Sequence, residues 1–192
     1  SGSTGSPKSI SLKKKDMISS AKLTAKFFEL PQGSKVINCL PLEYIAGKMM
    51  LVRSMVMGWD LNLFPISSEP IKKISSVYDF IAITPMQLEK SLDKINYVKT
   101  VIVGGSPVSY DLREKILKLE SKVYETYGMT ETITHIAARC LSKNEDKFSA
   151  LPGVKFFQFN SCLAINTQHL SSELIKTNDV VKLHSSKQFS WI

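Results

Sequence analysis

Cysteine is scarce in this chain of 192 residues: there are three, Cys39, Cys140 and Cys162, far apart and without Cys-x-x-Cys spacing. An odd, scattered set excludes a secreted disulfide framework and leaves reduced, packed thiols. Histidine is as sparse, and His135, His169 and His184 have neither the mutual spacing nor the cysteine neighbours of a zinc site, so no structural metal is expected. No apolar run is long enough to cross a bilayer. The N-terminus carries Ser and Gly where a signal peptide has a charged region and then an apolar one, and the two absences together point to a cytoplasmic protein with no membrane insertion. Internal repeats and low-complexity tracts are absent as well. Acidic residues fall short of basic ones, 17 against 25, for a formal charge of +8. Such an excess can mark a nucleic-acid binder. Here it is spread along the chain, with Lys13-Lys14-Lys15 its densest run, and no aromatic–basic interleaving accompanies it, so solvated lysines are the reading and no nucleic-acid partner is expected.

What is present is a 43% hydrophobic composition, sufficient for one substantial core. Its apolar residues alternate between helical and strand periods. Residues 13–28 place Met17, Ala21, Ala25 and Phe28 at helical spacing; 35–40 reads as a strand, 47–57 as a buried helix and 59–64 as a strand. The series continues with a strand at 79–84, a helix at 85–92, a strand at 99–103, a helix at 109–120 with Leu112, Ile116 and Leu119 on one face, and a strand at 122–127. Strands alternating with helices predict an α/β fold with a largely parallel sheet and crossover helices, whose ligands bind beyond the carboxyl ends of the strands. After Thr130 the pattern turns β-rich, with candidate strands at 133–140, 154–157, 162–165, 172–176 and 180–184. The expected organisation is an α/β subdomain over 1–131 and a smaller β-rich C-terminal subdomain over 132–192.

Three segments carry chemistry. The chain opens on Ser1-Gly2-Ser3-Thr4-Gly5-Ser6-Pro7-Lys8. It lacks the spacing of a Walker loop, yet its glycines let the backbone curl around phosphate oxygens, its hydroxyls can donate hydrogen bonds, and Lys8 adds a charge. The apolar run Val101-Ile102-Val103 closes on Gly104-Gly105, followed by Ser106, where a flat base could approach the backbone. Tyr127-Gly128-Met129-Thr130-Glu131 supplies a ring face for stacking, a hydroxyl, and a hard carboxylate suited to magnesium. Further on stands Lys176-Thr177-Asn178-Asp179, read as a turn with Asn178 tolerating a positive φ.

Taken in this order, the segments resemble the acyl-adenylating enzymes: acyl- and aryl-CoA ligases, luciferases and the adenylation domains of peptide synthetases. The resemblance implies that the Ser1–Lys8 segment closes on the β- and γ-phosphates of ATP, with Ser1, Gly2, Ser3, Thr4, Gly5 and Lys8 in contact. It implies that Gly104, Gly105 and Ser106 run along the adenine, and that Tyr127, Gly128 and Met129 border it. Thr130 would face the α-phosphate, Glu131 would hold Mg2+, and Asp179 would hold the ribose hydroxyls. The segment Pro41-Leu42-Glu43-Tyr44-Ile45-Ala46-Gly47-Lys48-Met49-Met50-Leu51-Val52-Arg53 is similar to that of the o-succinylbenzoate–CoA ligases of menaquinone biosynthesis, which place an arginine on the helix after such a glycine.

Arg53 stands among Met49, Met50, Leu51, Val52, Met55 and Val56, and a cation there needs a partner, either a surface acid or a substrate carboxylate. Gly47, Thr84 and His135 fall by family position at the acyl pocket. The implied activity is ATP-dependent joining of a carboxylic acid to coenzyme A, by acyl adenylation and then thioester formation, with o-succinylbenzoate as the acid. A ligase for another acid and a non-catalytic nucleotide-binding module are the alternatives, and a homodimer is left open. Relatives also have an N-terminal sheet portion and a C-terminal lid, so the chain reads as the central part of a larger enzyme, weakly active or inactive by itself.

Overall fold

The computed structural model describes residues 10–168, 170 and 174–192. Helix α1 (Lys14–Phe27) buries Ser20, Ala21, Thr24 and Ala25 at helical spacing, with Asp16 in its first turn and Lys26 in its last, both favourable to the helix dipole. It leads to strand β1 (Lys35–Asn38) and then helix α2 (Ile45–Met57), which ends at Gly58 in the left-handed conformation. Strand β2 (Asp60–Leu63) follows, and then β3 (Tyr78–Ile83) and the short helix α3 (Pro85–Glu89). Strand β4 (Val98–Val103), helix α4 (Tyr110–Ile116, capped by the Ser109 side chain accepting from the Leu112 amide) and β5 (Lys122–Gly128) complete the first half.

Six antiparallel strands make up the second half: β6 (His135–Cys140), β7 (Phe148–Ala150), β8 (Val154–Phe159), β9 (Cys162–Thr167), β10 (Ile175–Ser185) and β11 (Gln188–Trp191). All eleven lie in one sheet of order β2-β1-β3-β4-β5-β6-β7-β11-β10-β9-β8. The pairs from β2 to β5 are parallel, and every pair from β5–β6 onward is antiparallel. Burial follows that division. The inner parallel strands are buried almost continuously because helices cover both faces, with α3 and α4 over one and α1 and α2 over the other. In the antiparallel half, β10 alternates along much of its length.

Several boundaries differ from the sequence pattern. Strands β7 and β11 are short and carry no periodic signature of their own. The runs expected at 172–176 and 180–184 belong to one strand, β10, with a register shift between Lys176 and Val180. Asn178 therefore lies inside a bulged strand rather than at a turn, and it is not among the residues with positive φ. The strand expected from 133 begins at His135, because Ile133 takes φ 68 and ψ −53, a rare conformation for a β-branched residue, and breaks the extended run.

Candidate functional site

The chain goes from β1 outward to β2 and then returns to β3 on the opposite side of β1, so the strand order reverses between β1 and β3. In open α/β sheets ligands bind beyond the carboxyl ends at such a reversal. Two segments singled out in the sequence flank it: 41–53 follows β1, and Thr84 follows β3. Gly47, in the first turn of α2, is there for close approach, since a Cβ on it would stand 2.3 Å from the Pro41 carbonyl oxygen and 2.6 Å from that of Leu40. Thr84, expected to line the acyl pocket, caps α3: its hydroxyl oxygen accepts from the Gln87 amide while the Gln87 side chain accepts from the Thr84 amide.

Arg53 is 1% exposed, and no acid lies within ion-pairing distance of it among the described residues. Among the described residues, then, the surface-acid alternative has no candidate. Its Nη2 donates to Thr134 Oγ1 at 2.7 Å, its Nη1 reaches the Met50 sulfur at 3.5 Å, and its Nε has no partner. Burial alone pushes its pKa down to about 9, so the group still carries its charge at neutral pH.

The polar chain behind Arg53 has a fixed direction. Thr24 donates its hydroxyl hydrogen to the Ser20 carbonyl at 3.1 Å, so its oxygen can only accept from His135 Nε2 at 3.4 Å. His135 is thereby the Nε2–H tautomer, and Nδ1 accepts the Thr134 hydroxyl at 3.3 Å. Thr134 is left to accept from Arg53. His135 is buried, and burial first, then the Arg53 charge, hold its pKa well below the ordinary value. With both ring nitrogens engaged, it presents no free nitrogen to an acyl group.

On the nucleotide side, the Tyr127 hydroxyl donates to Asp179 Oδ2 at 2.6 Å across the sheet. The Asp179 amide is tied to Thr177 Oγ1, which donates to the Leu163 carbonyl, and no protein donor engages Asp179 Oδ1 among the described residues. Burial and the Asp179 hydrogen bond together raise the Tyr127 phenol pKa. The ring face expected for stacking is not open. Tyr127 is 7% exposed and meets Phe148, Phe189 and Trp191 edge-on, at centroid distances of 6.3, 5.2 and 5.5 Å, because β11 lays its aromatics over the end of β5. Gly128 pairs with His135 across the β5–β6 ladder, which brings the two motifs together.

Gly104 is half-buried, and Gly105 and Ser106 are exposed, in the loop between β4 and α4. Met129 is half-buried, its amide donating to Thr132 Oγ1 at 2.9 Å. Thr130 and Glu131 open a short 3-10 turn. Glu131 is exposed and lines an open cavity of about 430 Å3 together with Lys13, Asp16 and Ile133. The expected phosphate contacts Ser1, Gly2, Ser3, Thr4, Gly5 and Lys8, like His169, lie outside the described residues; residues 10–13, next in sequence, line the same cavity. No group of three metal-binding side chains occurs among the described residues. Magnesium takes one or two carboxylates together with substrate phosphates and keeps several waters, so a single exposed carboxylate on an open cavity fits it.

Sequence reasoning missed Thr24, Thr134, Glu125 and Arg139. A signal existed for the last two: Glu125 interrupts the apolar buried positions of β5 and Arg139 follows the run Ile136-Ala137-Ala138 in β6, and the structure pairs them, Arg139 Nη2 to Glu125 Oε2 at 2.7 Å.

Comparison with known proteins shows the family and the fold. The family model described as AMP-binding enzyme matches residues 1–157. The 2-succinylbenzoate–CoA ligase of Enterococcus faecalis is 27% identical over 150 residues, which is 72% of this chain and 30% of that protein. An acyl-CoA synthetase (AMP-forming)/AMP-acid ligase II-like protein from Dyadobacter fermentans is 35% identical with a TM-score of 0.92, covering 100% of this chain and 57% of that one. The o-succinylbenzoate coenzyme A synthetase of Bacillus subtilis, solved in complex with ATP and magnesium ion, shares the fold with a TM-score of 0.83 at 18% identity, covering 98% of this chain and 47% of that one. The chain thus spans about a third of the length of the first of these relatives and about half of each solved one.

Proposed function

The chain belongs to the AMP-binding enzymes, and from that premise we propose that it carries the nucleotide and acyl sites of an ATP-dependent acid–CoA ligase whose acid is o-succinylbenzoate. The single observation behind this choice of acid is Arg53, a buried guanidinium that has, among the described residues, no carboxylate partner and an unused Nε. An uncompensated buried cation is costly, and a dicarboxylate offers it a bidentate anion through the carboxyl group that does not react. The names of the curated relatives support the same acid.

In the first half-reaction the reacting carboxylate attacks the α-phosphorus of ATP, forming an acyl–phosphate bond and releasing pyrophosphate. In the second, the thiol of coenzyme A attacks the acyl carbon and AMP leaves. The chain supplies no covalent nucleophile; its residues bind and orient. Gly104, Gly105 and Ser106 run along the adenine. Asp179, fixed by Tyr127, offers Oδ1 to the ribose hydroxyls. Thr130 donates to the α-phosphate, and Arg53 draws the distal carboxylate inward. Glu131 would hold magnesium, which supplies charge neutralisation at the phosphates.

Calorimetric titration of AMP and of non-hydrolysable adenylate mimics bearing o-succinylbenzoyl, benzoyl and long-chain acyl groups tests this reading, with the Thr130→Ala/Glu131→Ala double variant as control. The o-succinylbenzoyl mimic is expected to bind most tightly and to lose affinity in the control. Tighter binding of the benzoyl or long-chain mimic would assign another acid, and binding of AMP with no acyl preference would favour a nucleotide-binding module.

A further inference from the structure

The β4–α4 loop, residues 104–108, is held at both ends by consecutive residues of β5. At its start, Thr126 Oγ1 donates to the Val103 carbonyl at 3.1 Å and lies 2.8 Å from where a Cβ on Gly104 would stand, so the loop rests on that hydroxyl only because the residue is glycine. At its end, the buried Val108 amide donates to Glu125 Oε1 at 3.3 Å.

Glu125 is itself held in place. Its Oε2 accepts from Arg139 Nε at 2.9 Å and Nη2 at 2.7 Å, and from Arg113 Nη2 at 3.4 Å, with the glutamate side chain 5% exposed and that of Arg139 10%. Arg139 also donates to the Asp146 carbonyl, and its guanidinium lies 4.5 Å from the centroid of Phe148, one of the rings against Tyr127. A run of contacts therefore joins the loop end at Val108 to the Tyr127–Asp179 pair through Glu125, Arg139 and Phe148.

We propose that Glu125 is a positioning residue for the nucleotide, an anchor clamped by Arg139 and Arg113 that sets the 104–108 loop against β5 and fixes its spacing from Asp179. The proposal rests on the reading of 104–106 as the adenine loop. A backbone amide given to a carboxylate forms a charge-assisted hydrogen bond, and a carboxylate gripped by two arginines cannot swing away from that amide. Glutamine, the neutral residue of the same size, keeps only one acceptor oxygen and would turn an NH2 donor toward either the Val108 amide or the guanidiniums.

Removing one partner of a buried pair can unfold a protein, whereas replacing both by apolar groups of similar volume is often tolerated. The test variants are therefore the double Glu125→Leu/Arg139→Met and the single Glu125→Asp, which keeps the charge but draws it back by one methylene. Two readouts are taken on the whole chain: hydrogen exchange of the Gly104 and Val108 amides, which donate to the Ile83 carbonyl and to Glu125, and titration with AMP beside free o-succinylbenzoate.

Anchoring predicts at least tenfold faster exchange at Gly104 and Val108 with the interior of β3 unchanged, at least tenfold weaker AMP binding, and unchanged binding of the acid, in the double variant and to a smaller degree in Glu125→Asp. Unchanged exchange overturns the anchor. Faster exchange with AMP affinity equal to that of the parent overturns its role in nucleotide binding. A parent chain that binds no AMP overturns the nucleotide reading itself, whatever the exchange shows.

Discussion

At Arg53 burial and chemistry pull in opposite directions: methylene stem and guanidinium alike sit where an aliphatic side chain would fold more favourably. Arg53→Met is accordingly expected to leave the thermal midpoint unchanged or higher, since it removes a buried cation without orphaning an acid. A fall of several degrees, measured by calorimetric unfolding, would mean that the guanidinium is structural. His135 supplies a second prediction. Its folded pKa lies below the unfolded value of 6.5, so below pH 6.5 the unfolded chain takes up a proton that the folded chain refuses. Stability from this group is thus intact above pH 6.5 and declines as pH falls below it, until the folded pKa is reached. Urea unfolding at pH 7.5, 6.5 and 5.5 should show that decline, flattened in His135→Gln; an equal slope in both proteins would contradict it. Arg53 was legible because its neighbours in sequence are apolar. Its partner Thr134 was not, lying 81 positions away, and neither was the Thr24 to His135 contact across 111. Tyr127 was legible as a motif residue, but the aromatics that cover it come from strands with no pattern to announce them.

Elements carry the next set of constraints. Helix α2 reaches the Leu40–Pro41 backbone so closely that Gly47→Ala sets a methyl against two carbonyl oxygens, neither the movable end of a side chain. It should cost about 1–3 kcal/mol by overpacking and lower the denaturation midpoint; a variant as stable as the parent would show that the helix can shift outward. The parallel half is readable element by element, because its inner strands are short continuous apolar runs and its helices between them are amphipathic. The antiparallel half was read less well. The sequence splits strand β10 in two, since its bulge at residues 177–179 interrupts the apolar alternation, while β7 is only three residues long and β11, Gln188–Trp191, has no continuous apolar run. That bulge sets the Asp179 amide on Thr177 in the strand that faces Tyr127.

Across the whole molecule, the change from parallel to antiparallel pairing falls between β5 and β6, yet those two strands share five registered pairs, and the aromatic cluster packs Tyr127 of one half against Phe148 and Phe189 of the other. Such an interface predicts that the halves unfold in one cooperative transition with coincident fluorescence and circular-dichroism midpoints; two separated midpoints would show independent units. The candidate site draws on both halves, with Arg53 and the 104–106 loop from the first and His135 and Asp179 from the second.

The central claim is that Arg53 recognises the second carboxylate of the acid, and the most direct measurement is the affinity of the o-succinylbenzoyl and benzoyl adenylate mimics for the parent chain and for Arg53→Met, taken as a four-way comparison. The expected result is at least a tenfold loss, about 1.4 kcal/mol or more, for the o-succinylbenzoyl mimic alone, with the benzoyl mimic bound as before. Equal losses for both mimics, or no loss for either, would contradict it.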